Sequence, residues 1–447
     1  MHTHSDLRQY GLPYWLDLER PVFPMLDQDL TADAVVIGAG IAGLKLARCL
    51  SRYGLKTIIL EGARAGEGAS SRNQGSINHS AGMGYLDCVQ LHSREIAQAL
   101  WQLGLENHRL LRAQIDEYEI DCDYQVDGMT ALVRRDMPGW EQQLETYCKE
   151  YEFLNEDGFA VALLDKKEAI QIGGNSLYAG GLCYLTDAQF HSGKYVLGLA
   201  EHVAHLPNVA LFEDARVQKI EKDGSGTRLT TARHVVTAER VFLSTNALVP
   251  QFVPNLQRAL RAERGQVFVT EPLNTRPCQG SFGTALAWWR EIIEPDGRFR
   301  LLFGGGRKRD EPDSLFPQFT AGGSPNPKLE SAGFSPSVEH QHRLGIQFAV
   351  LFPQFAHARI THRWGGLQSF TADTLPEIGV FDAERKIYGM AGFCGRGNGH
   401  TDVGAEYLAG KVAGVESDIE RRFSSLIKTA MRVRRESADW ELWHTVH

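Results

Sequence analysis

One short stretch, Asp33 to Glu61, constrains the fold more than anything else in the chain. Ala34–Ile37 is an apolar run, AVVI, between Asp33 and Gly38. Such a run reads as a strand buried on both faces of a parallel sheet. It leads directly into Gly38-Ala39-Gly40-Ile41-Ala42-Gly43. Behind the glycines, LKLARCLSRYG places Leu44, Ala47 and Leu50 at helical spacing and stops on Gly54. A second apolar strand, TIILE, ends on Glu61. Each glycine has its own task. Gly38 permits the tight turn, Gly40 lets the backbone approach a pyrophosphate, and Gly43 lets the helix lie close on the sheet. The helix N-terminus offers free N–H groups and a positive dipole to phosphates. Glu61 stands where an acidic side chain accepts from a ribose hydroxyl. The unit predicts an α/β chain that begins with a Rossmann-type dinucleotide site.

The position of the motif selects the dinucleotide. It opens the folded chain, and the next segment, ARAGEGASSRNQGSINHSAG, is rich in Gly, Ser and Asn rather than a further strand and helix. Small residues let such a loop lie flat on a ring system, which points to FAD rather than NAD. With 447 residues the chain is long enough for two or three domains, or for one cofactor domain with another threaded into it. Its 43% hydrophobic and 23% charged residues are those of a globular enzyme. A net charge of -8 argues against a nucleic-acid surface. No apolar run reaches the length of a membrane helix, and the N-terminus has no secretory pattern. The seven scattered cysteines form no CxxC pair, which predicts reduced thiols and a cytoplasmic setting. His2 and His4 read as part of a disordered terminus, so no metal site is expected.

Several segments together resemble the D-amino-acid oxidase superfamily of FAD oxidoreductases. The similarity is greatest to the branch of glycine oxidase, sarcosine oxidase and gamma-glutamylputrescine oxidase. The glycine start and ASSRNQG carry it first. Arg264-Gly265-Gln266 resembles the start of a substrate-domain strand, and Leu301–Gly305 a central strand bordering the flavin. Trp364-Gly365-Gly366-Leu367, followed by Thr371, Asp373, Pro376, Ile378 and Gly379, is similar to another family segment. GFCGRGNGH resembles the family's closing loop, which precedes a helix from Thr401.

The resemblance spans about residues 30–415 and implies a fold. A Rossmann-type FAD-binding domain of the GR2 kind is assembled from 30–85, 185–255 and 355–415. An interleaved α+β substrate domain with an antiparallel sheet takes 86–184 and 256–354. An N-terminal arm (1–29) and a C-terminal helical tail (416–447) complete the chain. It also implies non-covalent FAD held by Gly38, Gly40, Ile41, Ala42, Gly43, Glu61, Gly62, Ala69, Ser70, Arg72, Asn73, Gln74, Gly75, Val217, Thr245, Asn246, Gly365, Gly395, Arg396, Gly397, Asn398, Gly399 and His400. Asn73, Gln74, Ser76 and Arg396 are the candidate catalytic residues facing the ring.

Departures from the family pattern bear on the substrate. An arginine and a lysine that hold a small amino acid's carboxylate fall on Asn78 and Gly399, while His79 falls on a matching histidine. A carboxylate buried beside the flavin without a fixed cation is costly. The sequence therefore favours an amine whose acid group is distant or absent, with Arg72, Arg264 or Arg396 as replacement cations. The family's oxygen-activating lysine falls on Leu302, which leaves the electron acceptor, oxygen or another, open. Arg72 occupies the place of a flavin-linking histidine, and Cys394 replaces a usual serine.

The expected reaction is oxidation of an amine's C–N bond to an imine, which water hydrolyses to a carbonyl product. Oxidation of a small amino acid such as glycine, sarcosine or a D-amino acid is one alternative, and a non-catalytic flavoprotein another. Trp288-Trp289 and the Gly/Pro/Ser-rich stretch 320–338 are candidate pocket and lid elements. A homo-oligomer is left open.

Overall fold

The computed structural model describes residues 11–80, 82–305, 333–424 and 426. His2, His4, most of the 320–338 stretch and the tail beyond 426 lie outside them. Strand β1 (Leu30–Ile37) runs parallel between β2 (Thr57–Leu60) and the strand Val235–Leu243. Val36 lies opposite Ile59 on one side and Phe242 on the other. Both faces are covered, so the run is apolar without alternation. Strands Val209–Phe212, Lys219–Asp223, Gly226–Thr230, Glu377–Asp382 and Ile387–Ala391 complete this eight-stranded sheet.

Helix α1 (Ile41–Arg52) starts immediately after the glycines, with Gly40 as its N-cap. A Cβ on Gly43 would lie 1.9 Å from the Gly38 carbonyl oxygen, so only glycine lets the helix approach the turn this closely. Gly38 itself has φ +103°, a conformation glycine adopts without strain.

A second eight-stranded sheet carries the substrate side. From one edge its order is β6 (Ile360–Phe370), β3 (Arg261–Thr270), β5 (Phe299–Gly305) and β4 (Ala287–Ile293). Ser281–Gly283, Met129–Arg134, Tyr178–Tyr184 and Val161–Leu164 follow. It is antiparallel apart from the pairing of Ser281–Gly283 with Met129–Arg134. Phe268, Trp289, Phe303, Phe348 and Phe352 pack one face of it against the helix Val338–Leu351. A small sheet of Ser76–Ile77, Ala188–Gln189 and Gln125–Val126 joins the two halves.

The interleaved α/β arrangement is as expected, but one boundary differs. The segment assigned to cofactor binding from residue 355 onwards contains β6, which pairs with β3 along its whole length and so belongs to the substrate sheet. The chain returns to the Rossmann sheet only after Phe370. The arm is also integral to the fold. Trp15 is buried and donates through Nε1 to Asn73 O at 2.8 Å, and Gly11 N–H donates to Arg363 O at 2.7 Å.

Two distant helices lock the cofactor domain. Helix α1 packs on α3 (Thr401–Ala413), and the long helix α2 (Arg94–Glu117) packs on α3 as well. At the centre Lys45, with no side-chain exposure, donates to the Asp402 carboxylate and, at 3.0 Å, to Thr401 Oγ1. Gln114 from α2 donates to the other Asp402 oxygen. Arg48 and Arg52 both reach Glu406 one turn further on. Removing one member of a buried pair strands a charge, which costs about 3–5 kcal/mol, whereas replacing both by apolar groups costs far less. Asp402→Ala is therefore expected to lower the melting temperature by many degrees. The double variant Lys45→Met/Asp402→Leu recovers most of the loss, a comparison that calorimetry decides.

Candidate active site

A single cavity of about 1780 Å³ runs from the glycine turn, under β6, into the substrate sheet. Typical small-molecule pockets hold roughly 300–1,000 Å³, so this one has room for a dinucleotide and a further ligand. Of the sequence-derived cofactor residues, Gly38, Gly40, Ile41, Ala42, Glu61, Gly62, Ala69, Ser70, Arg72, Asn73, Gln74, Val217, Thr245, Asn246, Gly395, Arg396, Gly397 and Asn398 line it, as does Ser76. Gly43, Gly75, Gly365, Gly399 and His400 stand behind the lining instead.

The residues behind the wall shape it. A Cβ on Gly399 would lie 1.9 Å from Asn78 O, and one on Gly365 would lie 2.7 Å from the carbonyls of Gly333 and Ser335. Gly75, with φ +79°, faces Phe190 O and the Arg290 guanidinium. His400 is buried and bonded to Ser80 O; burial pushes its pKa down to about 4, so it stays neutral.

The dinucleotide end fits FAD on its own chemistry. The hydroxyl oxygens of Ser244 and Thr245 are buried beside the glycine turn with no partner among the described residues, and so is that of Ser369 on β6. All three residues line the cavity. Glu61 accepts from Ala39 N–H at 2.8 Å and from Ala63 N–H at 2.9 Å, which fixes the turn while its carboxylate borders the cavity. Neither the N–H nor the C=O of Val217 makes a hydrogen bond among the described residues, so the edge expected to meet the adenine is open.

The loop expected to face the flavin, 69–76, is fastened by its own side chains. Asn73 Nδ2 donates to Ala69 O and Ser70 O, and its Oδ1 accepts from Gly75 N–H at 2.7 Å. Gln74 Nε2 donates to Ser281 Oγ, Phe282 O and Trp289 O, tying the loop to the substrate sheet. Ser76 Oγ meets Ser281 Oγ at 3.1 Å. These contacts give Asn73, Gln74 and Ser76 a structural task. Arg72 is likewise engaged. It donates to the carbonyls of Glu67, Gly11 and Gly365, and its guanidinium stacks 4.3 Å from the Phe334 ring centre.

Arg396 is different. It lines the cavity on the closing loop, half-buried, and its guanidinium has no hydrogen bond or ion pair among the described residues. Burial lowers its pKa from the usual guanidinium value, against the opposing charge of Asp187. Asn398 donates through Nδ2 to Ser76 O at 2.9 Å, so the closing loop and the flavin loop are fastened together. The helix end behind them is partly capped: Asn107 Oδ1 accepts from the N–H groups of Asp402 and Val403.

Besides the expected candidate Trp288, the substrate end of the cavity holds Tyr184 and Asp187, which no sequence motif singled out. Trp288 lines it, while Trp289 faces the other way into the core; strand alternation separates them. Tyr184 donates to Glu150 at 2.6 Å, and burial, then the Glu150 charge, raises its pKa well above the ordinary phenol value. Asp187 borders the same chamber. Its Oδ1 accepts from His79 N–H at 3.0 Å and is bonded to the His79 ring, and its Oδ2 accepts from Asn78 Nδ2 at 2.8 Å. Burial opposes its charge, yet His79 and Asn78 hold the carboxyl below the usual range. Leu302 is fully buried in a cluster with Trp15, Val267 and Trp364 and does not line the cavity. Cys394 contacts Thr371 N–H and Gly392 O.

The family model described as DAO, FAD dependent oxidoreductase, matches residues 33–410. A probable oxidoreductase, OrdL, of Haemophilus influenzae is 27% identical over 403 residues, covering 88% of this chain and 85% of that protein. The gamma-glutamylputrescine oxidoreductase of Escherichia coli is 26% identical, covering 89% and 87%. Among solved structures, glycine oxidase from Geobacillus kaustophilus superposes with a TM-score of 0.68 at 20% identity, covering 87% and 96%. L-proline dehydrogenase from P. horikoshii reaches 0.70 at 17%, covering 91% and 100%.

If Ser244 and Thr245 await a cofactor, Ser244→Ala/Thr245→Val weakens FAD binding about ten- to a hundred-fold and leaves the melting of the apoprotein unchanged or raised. Flavin-release fluorescence measures the first and calorimetry the second. A destabilised apoprotein with unaltered FAD affinity would make the hydroxyls purely structural.

Proposed function

The chain belongs to the DAO family of FAD-dependent oxidoreductases, enzymes acting on amines or amino acids, and from that premise we propose that it oxidises the C–N bond of an amine carrying its anionic group away from the reacting carbon. FAD is the cofactor, and bound FAD supplies the two-electron acceptor next to the substrate. We take it to be non-covalent: Arg72, at the place of a linking histidine, is held by backbone carbonyls.

The observation that carries the reading is Arg396. Positions 78 and 399, where a small amino acid's carboxylate would be held, bear an asparagine amide and a glycine. Asn78 spends its amide on Asp187 and Gly399 is packed against Asn78 O. Among the described cavity-lining residues, the guanidinium without a partner belongs to Arg396. It reaches the chamber from the closing loop, a different direction. A substrate anion completes its hydrogen bonds, and the guanidinium fork favours a carboxylate. The amine then lies at the flavin loop with its acid group set apart from it. A gamma-glutamyl amide of a diamine has this layout, and the relative from Escherichia coli is named for such a compound.

The protein's part is orientation. Asn73, Gln74 and Asn398 keep the two loops fixed, Trp288 walls the chamber, and Arg396 sets the register of the substrate. Hydrolysis of the imine product needs only water.

Two measurements test this. Flavin absorbance is followed without oxygen as candidate substrates are added. Bleaching by gamma-glutamylated or otherwise acid-bearing amines is expected, with glycine, sarcosine and D-amino acids silent; air is then readmitted to identify the acceptor. Rapid bleaching by sarcosine or glycine would overturn the reading, and no bleaching by any amine would favour a non-catalytic flavoprotein. In the second, Arg396→Gln raises KM for an acid-bearing amine about ten- to a hundred-fold, the value of one charge-assisted contact, and leaves KM for an uncharged amine unaltered.

A further inference from the structure

Asp187 plays no catalytic role in the reading above, yet its carboxylate borders the chamber, as do Glu150 and Asp87, and it alone of the three is held by the segment that follows the flavin loop. Three segments converge on it. Asn78 and His79, which follow the flavin loop, supply its three hydrogen bonds. The closing loop is pressed onto the same place, because Gly399 abuts Asn78 O and Asn398 is bonded to Ser76 O. Arg396 reaches the chamber from that loop without forming an ion pair with Asp187. A carboxylate and a guanidinium therefore face one cavity and leave each other free for a ligand.

We propose that Asp187 is the seat of the substrate's nitrogen: it accepts from the amine N–H and lies against the positive charge that nitrogen acquires during oxidation. The inference rests on the amine-oxidation reading. In that reaction the carbon next to nitrogen loses a hydrogen with its electron pair. Two electrons and one hydrogen go to the bound FAD, and the nitrogen lone pair closes the C=N bond. The amine reacts as its free base, the ammonium proton having been released to solvent on binding, and the neutral amine thus becomes a cationic iminium. Charge that is absent in the bound amine and present in the transition state is what a fixed carboxylate stabilises selectively. His79 and Asn78 suit Asp187 to this task, since they hold it ionised and keep it from turning away. Water then adds to the iminium carbon, and the amine departs with a proton. The substrate class is accordingly a molecule with a basic nitrogen at Asp187 and an anion at Arg396.

The test uses the FAD-loaded protein and two unreactive probes, benzyltrimethylammonium and benzoate, titrated against the oxidised flavin spectrum. Asp187→Asn is expected to weaken the ammonium probe at least tenfold and leave benzoate within twofold; Arg396→Gln is expected to do the reverse. The rate of anaerobic flavin reduction by an amine falls about a hundredfold in Asp187→Asn. Asp187→Glu, which keeps the charge, restores ammonium binding to within about threefold of the parent. Unaltered ammonium binding in Asp187→Asn overturns the proposal, as does equal weakening of both probes. Loss of FAD from both Asp187 variants overturns it too, since the residue is then structural. Failure of Arg396→Gln alone removes the remote-anion reading and leaves Asp187 standing.

Discussion

A lysine with no exposed side-chain surface holds this protein's first and last cofactor segments together. Lys45 lies on the helix that begins at the phosphate-binding glycines, and Asp402 lies in the first turn of the helix that follows the closing loop. Burial lowers the lysine's pKa, and Asp402 opposes that shift by charge and hydrogen bond. A buried pair of this kind is tolerable only when every remaining lone pair and proton is used. Here Thr401 accepts from a second ammonium proton and Gln114 donates to the second carboxylate oxygen. The price of the arrangement in desolvation is met by specificity: α1 and α3 have one register, and with it the glycine turn and the closing loop have one separation. The cavity between them inherits its length from that contact.

The same geometry decides what governs the chamber's electrostatics. A helix N-terminus behind a glycine loop reads as a source of positive potential for the reduced ring. In this chain Asn107 from α2 takes the N–H groups of Asp402 and Val403, so part of that potential is already satisfied internally. The remaining strong fields belong to side chains, Arg396 with its positive charge and Asp187 with its negative one. Full charges outweigh the half-charge of a partly capped helix end.

Much of this was legible in the sequence. The strand–glycine–helix unit is local, and its physical demands map onto residue types one by one, so Gly38, Gly40 and Gly43 fall where expected. The small-residue loop at 69–76 was legible for the same reason, although Asn73 binds the loop's own backbone and Arg72, Gln74 and Ser76 bind neighbouring segments. The β6 boundary was misplaced because Gly366 to Ser369 do border the cavity; lining a cofactor site does not settle which sheet a strand pairs with. Trp288 and Trp289 were separable in principle by alternation, but alternation alone does not say which face is the cavity. Asp187 was invisible. Nothing in CYLTDAQFH marks it, and its meaning comes from Asn78 and His79, more than a hundred residues away in the chain.

Unsatisfied groups map a site more sharply than motifs do. Burying a hydroxyl or a guanidinium without a partner is unfavourable, so each such group in a folded chain calls for a cause. In the dinucleotide half of the cavity the buried atoms without a partner among the described residues are hydroxyls, those of Ser244 and Thr245, with Ser369 further along. Hydroxyls are neutral and can donate or accept, which suits phosphate oxygens and a flavin edge alike. In the substrate half the group without a partner among the described residues is a half-buried cation, Arg396. The division is chemical as well as spatial. The charged groups of the dinucleotide half, Glu61 and Arg72 among them, are tied into hydrogen bonds of the fold, so its open groups are hydroxyls and shape does the selecting. A half that must choose among amines carries charge, because a like-charged or uncharged competitor then leaves Arg396 or Asp187 without its partner, and the cost of that unmet charge is the discrimination.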